Sequence, residues 1–341
     1  MKKTVLAMVV PALLTAGAAS ASVNLYEADG FSVNLGGTAD IQWYKSYKPT
    51  DEPILRLNKG KLIFTTDAKI SDSLSTVSGM GFEYKGQLQN DVQMVENKEL
   101  WIGLSSNDFG TITFGRQYLL VEDANNQKDY ELGLDQINFV ITSANQVIKW
   151  VYDNGTFNIG ADIALDSDPS KNIRGREIFT SRIGVRYEGL DARVYLYDGE
   201  SIQTNKFNNK AGISQDIRGY NLEMDYGFNA FDVAFSYGQV GYKNHTVKSD
   251  KVNVDVLGIS GGYLADEKTY FAVGYDWSDA NKSGNSGNRK NYKSASLYTN
   301  VAYKLHSMTK VYAEVGVAKV KSNNQKDSTD TAFALGMKVK F

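Results

Sequence analysis

The chain has no cysteine, only four prolines and only two histidines in 341 residues. Each scarcity closes a route. Without cysteine there are no disulfides to staple the fold and no thiol chemistry. The two imidazoles, His245 and His306, fall in connecting segments on opposite rims of the architecture deduced below. A His-dependent hydrolase therefore finds no base–nucleophile pair. An excess of positive charge is also missing, with 37 Lys and Arg against 39 Asp and Glu, so there is no basic footprint for nucleic acid. After residue 21 no apolar run approaches the ~20 residues of a membrane helix, which excludes a helical bundle in the bilayer. What is abundant is 31 Gly, 21 Tyr, 15 Phe and 4 Trp, a strand-rich and helix-poor usage.

The first 21 residues read as a secretory signal. Lys2 and Lys3 make a basic start, Val5 to Ala19 is mostly small and apolar, and Ala19-Ser20-Ala21 gives a small-x-small cleavage pattern. The apolar stretch is too short to anchor the chain. The expected mature chain is 22–341; removing Lys2 and Lys3 leaves 35 basic against 39 acidic residues, a net charge of −4.

From there to the end the sequence alternates. Phe31, Val33, Leu35, Ala39, Ile41 and Trp43 share one parity; Ser32, Asn34, Thr38, Asp40 and Gln42 share the other. The same split recurs in Phe157 to Ile163, Phe179 to Tyr187, Tyr220 to Asp225 and Phe271 to Trp277, and sixteen segments can be read as half-buried strands. Alternation alone does not separate a sandwich from a membrane barrel. Connection lengths do. Short turns such as Asn154-Gly155, Gly189 to Asp191 and Gly227 to Asn229 alternate with long polar stretches at Asp166 to Glu177, Glu200 to Gln215, Tyr242 to Asn253, Asp279 to Asn291 and Lys321 to Ser328. One rim of tight turns and one of long loops is the outer-membrane barrel arrangement. Trp43, Trp101, Trp150 and Trp277 are then expected in the two interfacial belts.

One interval refuses to alternate. Tyr118 to Ala144 mixes Glu122, Asp123, Asp129, Glu131 and Asp135 with Leu119, Leu120, Leu132, Leu134 and Phe139. A connection of this length inside a compact domain is usually functional, and its apolar content implies that it packs. Inside a closed barrel it would fold inward and narrow the hole.

The final strand, TAFALGMKVKF, alternates and ends on an aromatic, as the assembly signal of outer-membrane barrels does. With VNLYEADGFSVNLGG near the start, Leu55-Arg56-Leu57, and NKELWIGLSSNDFGTITFGRQY running into the non-alternating interval, the chain resembles the Gram-negative general diffusion porins end to end. The resemblance implies a sixteen-stranded antiparallel transmembrane β-barrel with its third long loop folded inward. It further implies a homotrimer in the outer membrane, in contact with lipid and lipopolysaccharide, passing ions and small hydrophilic solutes without a cofactor. In that family loop acids face a basic wall. Carried over by position, Asp129, Glu131 and Asp135, with Asp123 behind them, form the acidic side of the pore constriction. This loop lacks the family's proline and shortens the spacing between Asp129 and Glu131. For the wall, Arg56 matches best, with Lys98 and Lys149 on the strands flanking the loop; which of Lys59, Lys61 and Lys98 points inward is open, because a one-residue slip flips every side chain. Arg182, Arg186 and Arg193 have inward parity.

Opposed rows of fixed charge would impose a transverse field on passing solutes, and the loop acids with the negative mature charge predict weak cation preference. An oligosaccharide-selective channel is the alternative, because Tyr195, Tyr197, Tyr270, Tyr298 and Tyr312 also have inward parity. An enzyme or adhesion barrel is disfavoured by the histidine count. Asp279, Asn281, Ser283 and Gly284 resemble the opening of a calcium loop, but Lys290 stands where the twelfth-position glutamate is needed.

Overall fold

The structure, a computed structural model, describes residues 22–85, 94–134, 137, 139, 141–168, 173–203, 214–245, 251–283, 292–322 and 325–341. The expected leader, 1–21, lies outside them. The alternating segments are strands: β1 (Val23–Ala28), β2 (Phe31–Lys45), β3 (Ile54–Lys69), β4 (Leu74–Lys85), β5 (Met94–Ser106), β6 (Gly110–Tyr118), β7 (Ser143–Asp153), β8 (Phe157–Asp168) and β9 (Ile173–Tyr187). They continue with β10 (Leu190–Gln203), β11 (Ser214–Phe228), β12 (Phe231–Asn244), β13 (Lys251–Leu264), β14 (Thr269–Ser283), β15 (Tyr292–His306), β16 (Thr309–Ser322) and β17 (Gln325–Lys340). Each pairs antiparallel with its successor, and β17 pairs back onto β2, so β2 to β17 close a sixteen-stranded barrel.

The short β1 was not among the sixteen segments, and its place explains why. Along β2, strand β17 occupies the stretch from Lys45 back to Thr38, and β1 occupies Leu35 to Phe31. Between them Gly37 and Phe341 exchange backbone hydrogen bonds of 2.5 and 3.1 Å. One stave of the wall is thus made of β17 and β1, laid in line.

Tight turns fill one rim. Residues 188–189 and 229–230 join their strands with two residues each, and Glu188 (φ 44°), Gly189 (φ 87°) and Asn229 (φ 53°) supply the left-handed backbone that two-residue hairpins require. Of the longer connections on the other rim, 169–172, 204–213, 246–250, 284–291 and 323–324 lie outside the described residues; the strands run well into the stretches that had been expected as loops.

Burial decides between sandwich and membrane wall. Leu55, Leu100, Ile102, Ile183, Val273, Leu297, Val315 and Leu335 are exposed, whereas Asp40, Gln42, Thr180, Asp276 and Glu314 are at most 1% exposed. Apolar outside and polar inside inverts a water-soluble fold, whose large apolar patches rarely exceed a few hundred Å²; it is the pattern of a wall facing hydrocarbon. Trp43 and Trp150 are on that outer face. Trp101 is not: it lies over Gly79 and donates from Nε1 to Glu99 at 3.1 Å, on the inner side. Its position in the belt is corrected, because parity in β5 is reset by a bulge opposite Gly81 and Phe82.

Candidate functional site: the 119–142 segment and the wall it touches

The segment between β6 and β7 begins with a single 3₁₀ turn, Leu120–Asp123, and its apolar residues are buried: Leu119, Leu120, Val121, Leu132 and Phe139 are each at most 3% exposed. Its backbone is held by acids of the inner face. The Leu120 amide donates to Asp162 Oδ2 on β8 at 2.6 Å. On β16, Glu314 accepts three consecutive amides: Tyr130 at 2.8 Å, Glu131 at 2.8 Å and Leu132 at 3.0 Å. Asn300 on β15 donates to the same carboxylate at 3.2 Å. Between these anchors, Lys128 reaches Asp225 on β11 (3.3 Å) and Asp232 on β12 (2.9 Å), and Asn126 donates to Asp225 Oδ2 at 3.0 Å. A connection that leaves from β6 is therefore tied to β8, β11, β12, β15 and β16.

The register arranges the wall in rows. Asn300, Glu314, Ala334 and Tyr44 lie side by side across β15, β16, β17 and β2, and form the row that holds the loop amides. Two residues along, Ala302, Tyr312, Gly336, Gln42 and Arg56 form the next, reaching β3. Here Tyr312 lies flat across Gly336, where a Cβ would overlap its ring, and its hydroxyl reaches Asp40 and Gln42 at 2.7 Å each. Tyr130 of the loop stacks on Tyr312 with centroids 3.8 Å apart.

Of the acids chosen from sequence, Glu131 meets Arg56 at 2.5 Å, and Arg56 also lies 3.6 Å over the Tyr44 ring and donates to Gln42. Burial pushes the Glu131 carboxyl above the ordinary range, with Arg56 pulling the other way; burial likewise raises Glu122. Asp123 meets Arg182 at 2.8 Å. Asp129 turns back to accept the Gly133 amide at 3.1 Å. Asp135 lies outside the described residues. Among the bases, Lys149 donates to the Tyr118 carbonyl at 2.7 Å, where the loop starts. The rest stand away from the loop acids: Lys98 pairs with Glu96 of its own strand at 2.9 Å, Arg186 with Asp153 at 2.8 Å, and Arg193 with Asp191 at 2.6 Å. The open lysine question resolves through a bulge at Asn58, which puts both Arg56 and Lys59 on the inner side, opposite Gln42 and Asp40. Lys61 is there too, pairing with Glu99 at 2.8 Å.

Sequence reading missed Glu314, Asp162, Asp225 and Asp232, the carboxylates that hold the loop, and Lys128, a cation within it. The signal was available only as inward parity, since nothing in the sequence says which inward acid meets an amide. The five inward tyrosines are buried, at most 7% exposed, and several seat the loop: Tyr298 accepts the Lys128 amide at 3.2 Å and Tyr197 stacks on Phe139.

The sequence profile of the Gram-negative porins matches residues 4–324. Porin-like protein H of Photobacterium profundum is 39% identical, with both chains covered completely. Two solved structures share the fold. OmpT of Vibrio cholerae in a trimer form has TM-score 0.70 and 17% identity, covering 92% of this chain and all of that one; an anion-selective porin from Comamonas acidovorans has TM-score 0.69 and 15% identity, covering 91% and 100%. A closed barrel of sixteen strands, apolar outside and charged within, together with a profile match across most of its length, makes this chain a member of the Gram-negative porin family, a protein of the outer membrane.

Proposed function

We propose that the chain forms a water-filled channel for passive diffusion of ions and small hydrophilic solutes, narrowed by the 119–142 segment folded into the lumen, and that it works as a homotrimer. The observation that carries this is the set of loop-to-wall bonds on both sides of the barrel, from Asp162 to Lys128 and Glu314. Pairs such as Glu131–Arg56 then stand at the edge of the opening, where charge acts on passing solutes more strongly than in bulk water. Preference for cations follows from Asp123, Asp129 and Glu131, and is weak because Arg56, Arg182 and Lys128 offset them. A sugar-selective slide is not favoured, since four of the five inward tyrosines, Tyr195, Tyr197, Tyr298 and Tyr312, are taken up by contacts with the loop. Reversal potentials across a planar bilayer in a KCl gradient test the charge reading: a modest cation-side potential is expected, and clear anion selectivity for KCl would overturn it.

A further inference from the structure

One step nearer the tight-turn rim than the Arg56 row, the register sets Lys59, Asp40, Lys338, Lys310 and Lys304 side by side across β3, β2, β17, β16 and β15. Four ammonium groups face one carboxylate, and that carboxylate is already shared: Asp40 accepts the Tyr312 hydroxyl at 2.7 Å and takes Lys338 at 3.5 Å. Lys338–Lys310 and Lys310–Lys304 are directly opposed like charges, an arrangement that destabilises a sheet. Lys340, two residues beyond Lys338, extends the patch. Lys304, Lys310, Lys338 and Lys340, with Lys268 of the adjacent turn and Tyr130 of the loop, line a cavity of ≈ 600 Å³ that Asp129, Asp225 and Glu267 also border. Lys310 Nζ rests 4.6 Å from the centre of the Tyr130 ring.

We propose that this lysine belt is a binding site for small multivalent oxyanions, phosphate-bearing solutes in the first instance, at the tight-turn mouth of the channel. Opposed Cβ atoms in a sheet are ~5 Å apart, so neighbouring ammonium groups converge on one phosphate and relieve their mutual repulsion. Chloride, with a single charge, neutralises only one of them. The belt lies two residues, ~7 Å of strand, from the Arg56–Glu131 pair, so it offsets part of the cation preference without reversing it. Its place on the inner face excludes lipid phosphates and leaves soluble ones.

The proposal rests on the channel reading for its access route, and its test separates the two. Pyrophosphate is added to either side of the reconstituted protein in constant KCl, and titrated calorimetrically into the detergent-solubilised barrel, which reads the site whether or not current flows. Expected are measurable binding, a reversible fall in current that is stronger from the tight-turn side, and at least a tenfold weakening of both in K304Q/K310Q/K338Q, with K69Q on the same rim unchanged. Heat-modifiable gel mobility establishes that the variants are folded. No calorimetric binding, or binding undiminished in the triple variant, overturns the belt; loss of block on adding anionic lipid to the bilayer would reassign it to headgroups and overturn it too.

Discussion

Single side chains decide how the loop is held. Glu314 gives its two oxygens to three amides, and hydrogen bonds to a charged group are worth roughly 1.5–3 kcal/mol each. Glu314→Gln keeps the shape and loses the charge, so we expect a barrel that still assembles but has a looser loop, seen as noisier single-channel current and faster protease nicking within 119–142. Asp129→Asn with Glu131→Gln should lower cation preference with the fold intact, because neither carboxylate takes part in the pairing of the strands; unchanged reversal potential would place the loop elsewhere. The pH dependence has a definite sign. Burial holds the Glu131 carboxyl above the ordinary glutamate range, with Arg56 pulling the other way, so its charge is lost on acidification earlier than that of a solvated carboxylate. Cation preference should therefore begin to fall at a higher pH than it does in Glu131→Gln, where only the remaining acids titrate.

At the level of elements, alternation made the strands legible from Phe31 to Phe341, because a wall with lipid on one side and water on the other imposes a period of two on every strand. Where the period broke, so did the reading. The bulge at Asn58 hid the inward set of Arg56, Lys59 and Lys61, and the bulge in β5 sent Trp101 inward. The loop was found by its failure to alternate, but its attachments were not, since Glu314 and Asp162 look like any other inward acid. The β16–β17–β2 seam depends on a close approach at Gly336. Gly336→Ala puts a methyl into the Tyr312 ring, and overpacking of this kind costs about 1–3 kcal/mol. The denaturation midpoint should drop, and trimming the ring in Gly336→Ala/Tyr312→Ser should recover part of it.

For the whole molecule, the charge layout places Glu131 against Arg56 in one row and a lysine belt in the next. Monovalent ions thus report the sum of the two rows, and a multivalent anion is needed to single out the belt.

The stave shared by β17 and β1 has a topological consequence. Phe341 sits opposite Gly37 and Val23 opposite Leu35, so Ser22 falls in the position next to Phe341, as a following residue would. Pairing along β2 therefore runs on from β17 into β1 as it would along one unbroken strand. In a chain that lacks residues 1–21, fusing Phe341 to Ser22 without a linker and opening the chain between Glu188 and Gly189 should give a circular permutant with the same sixteen-fold closure.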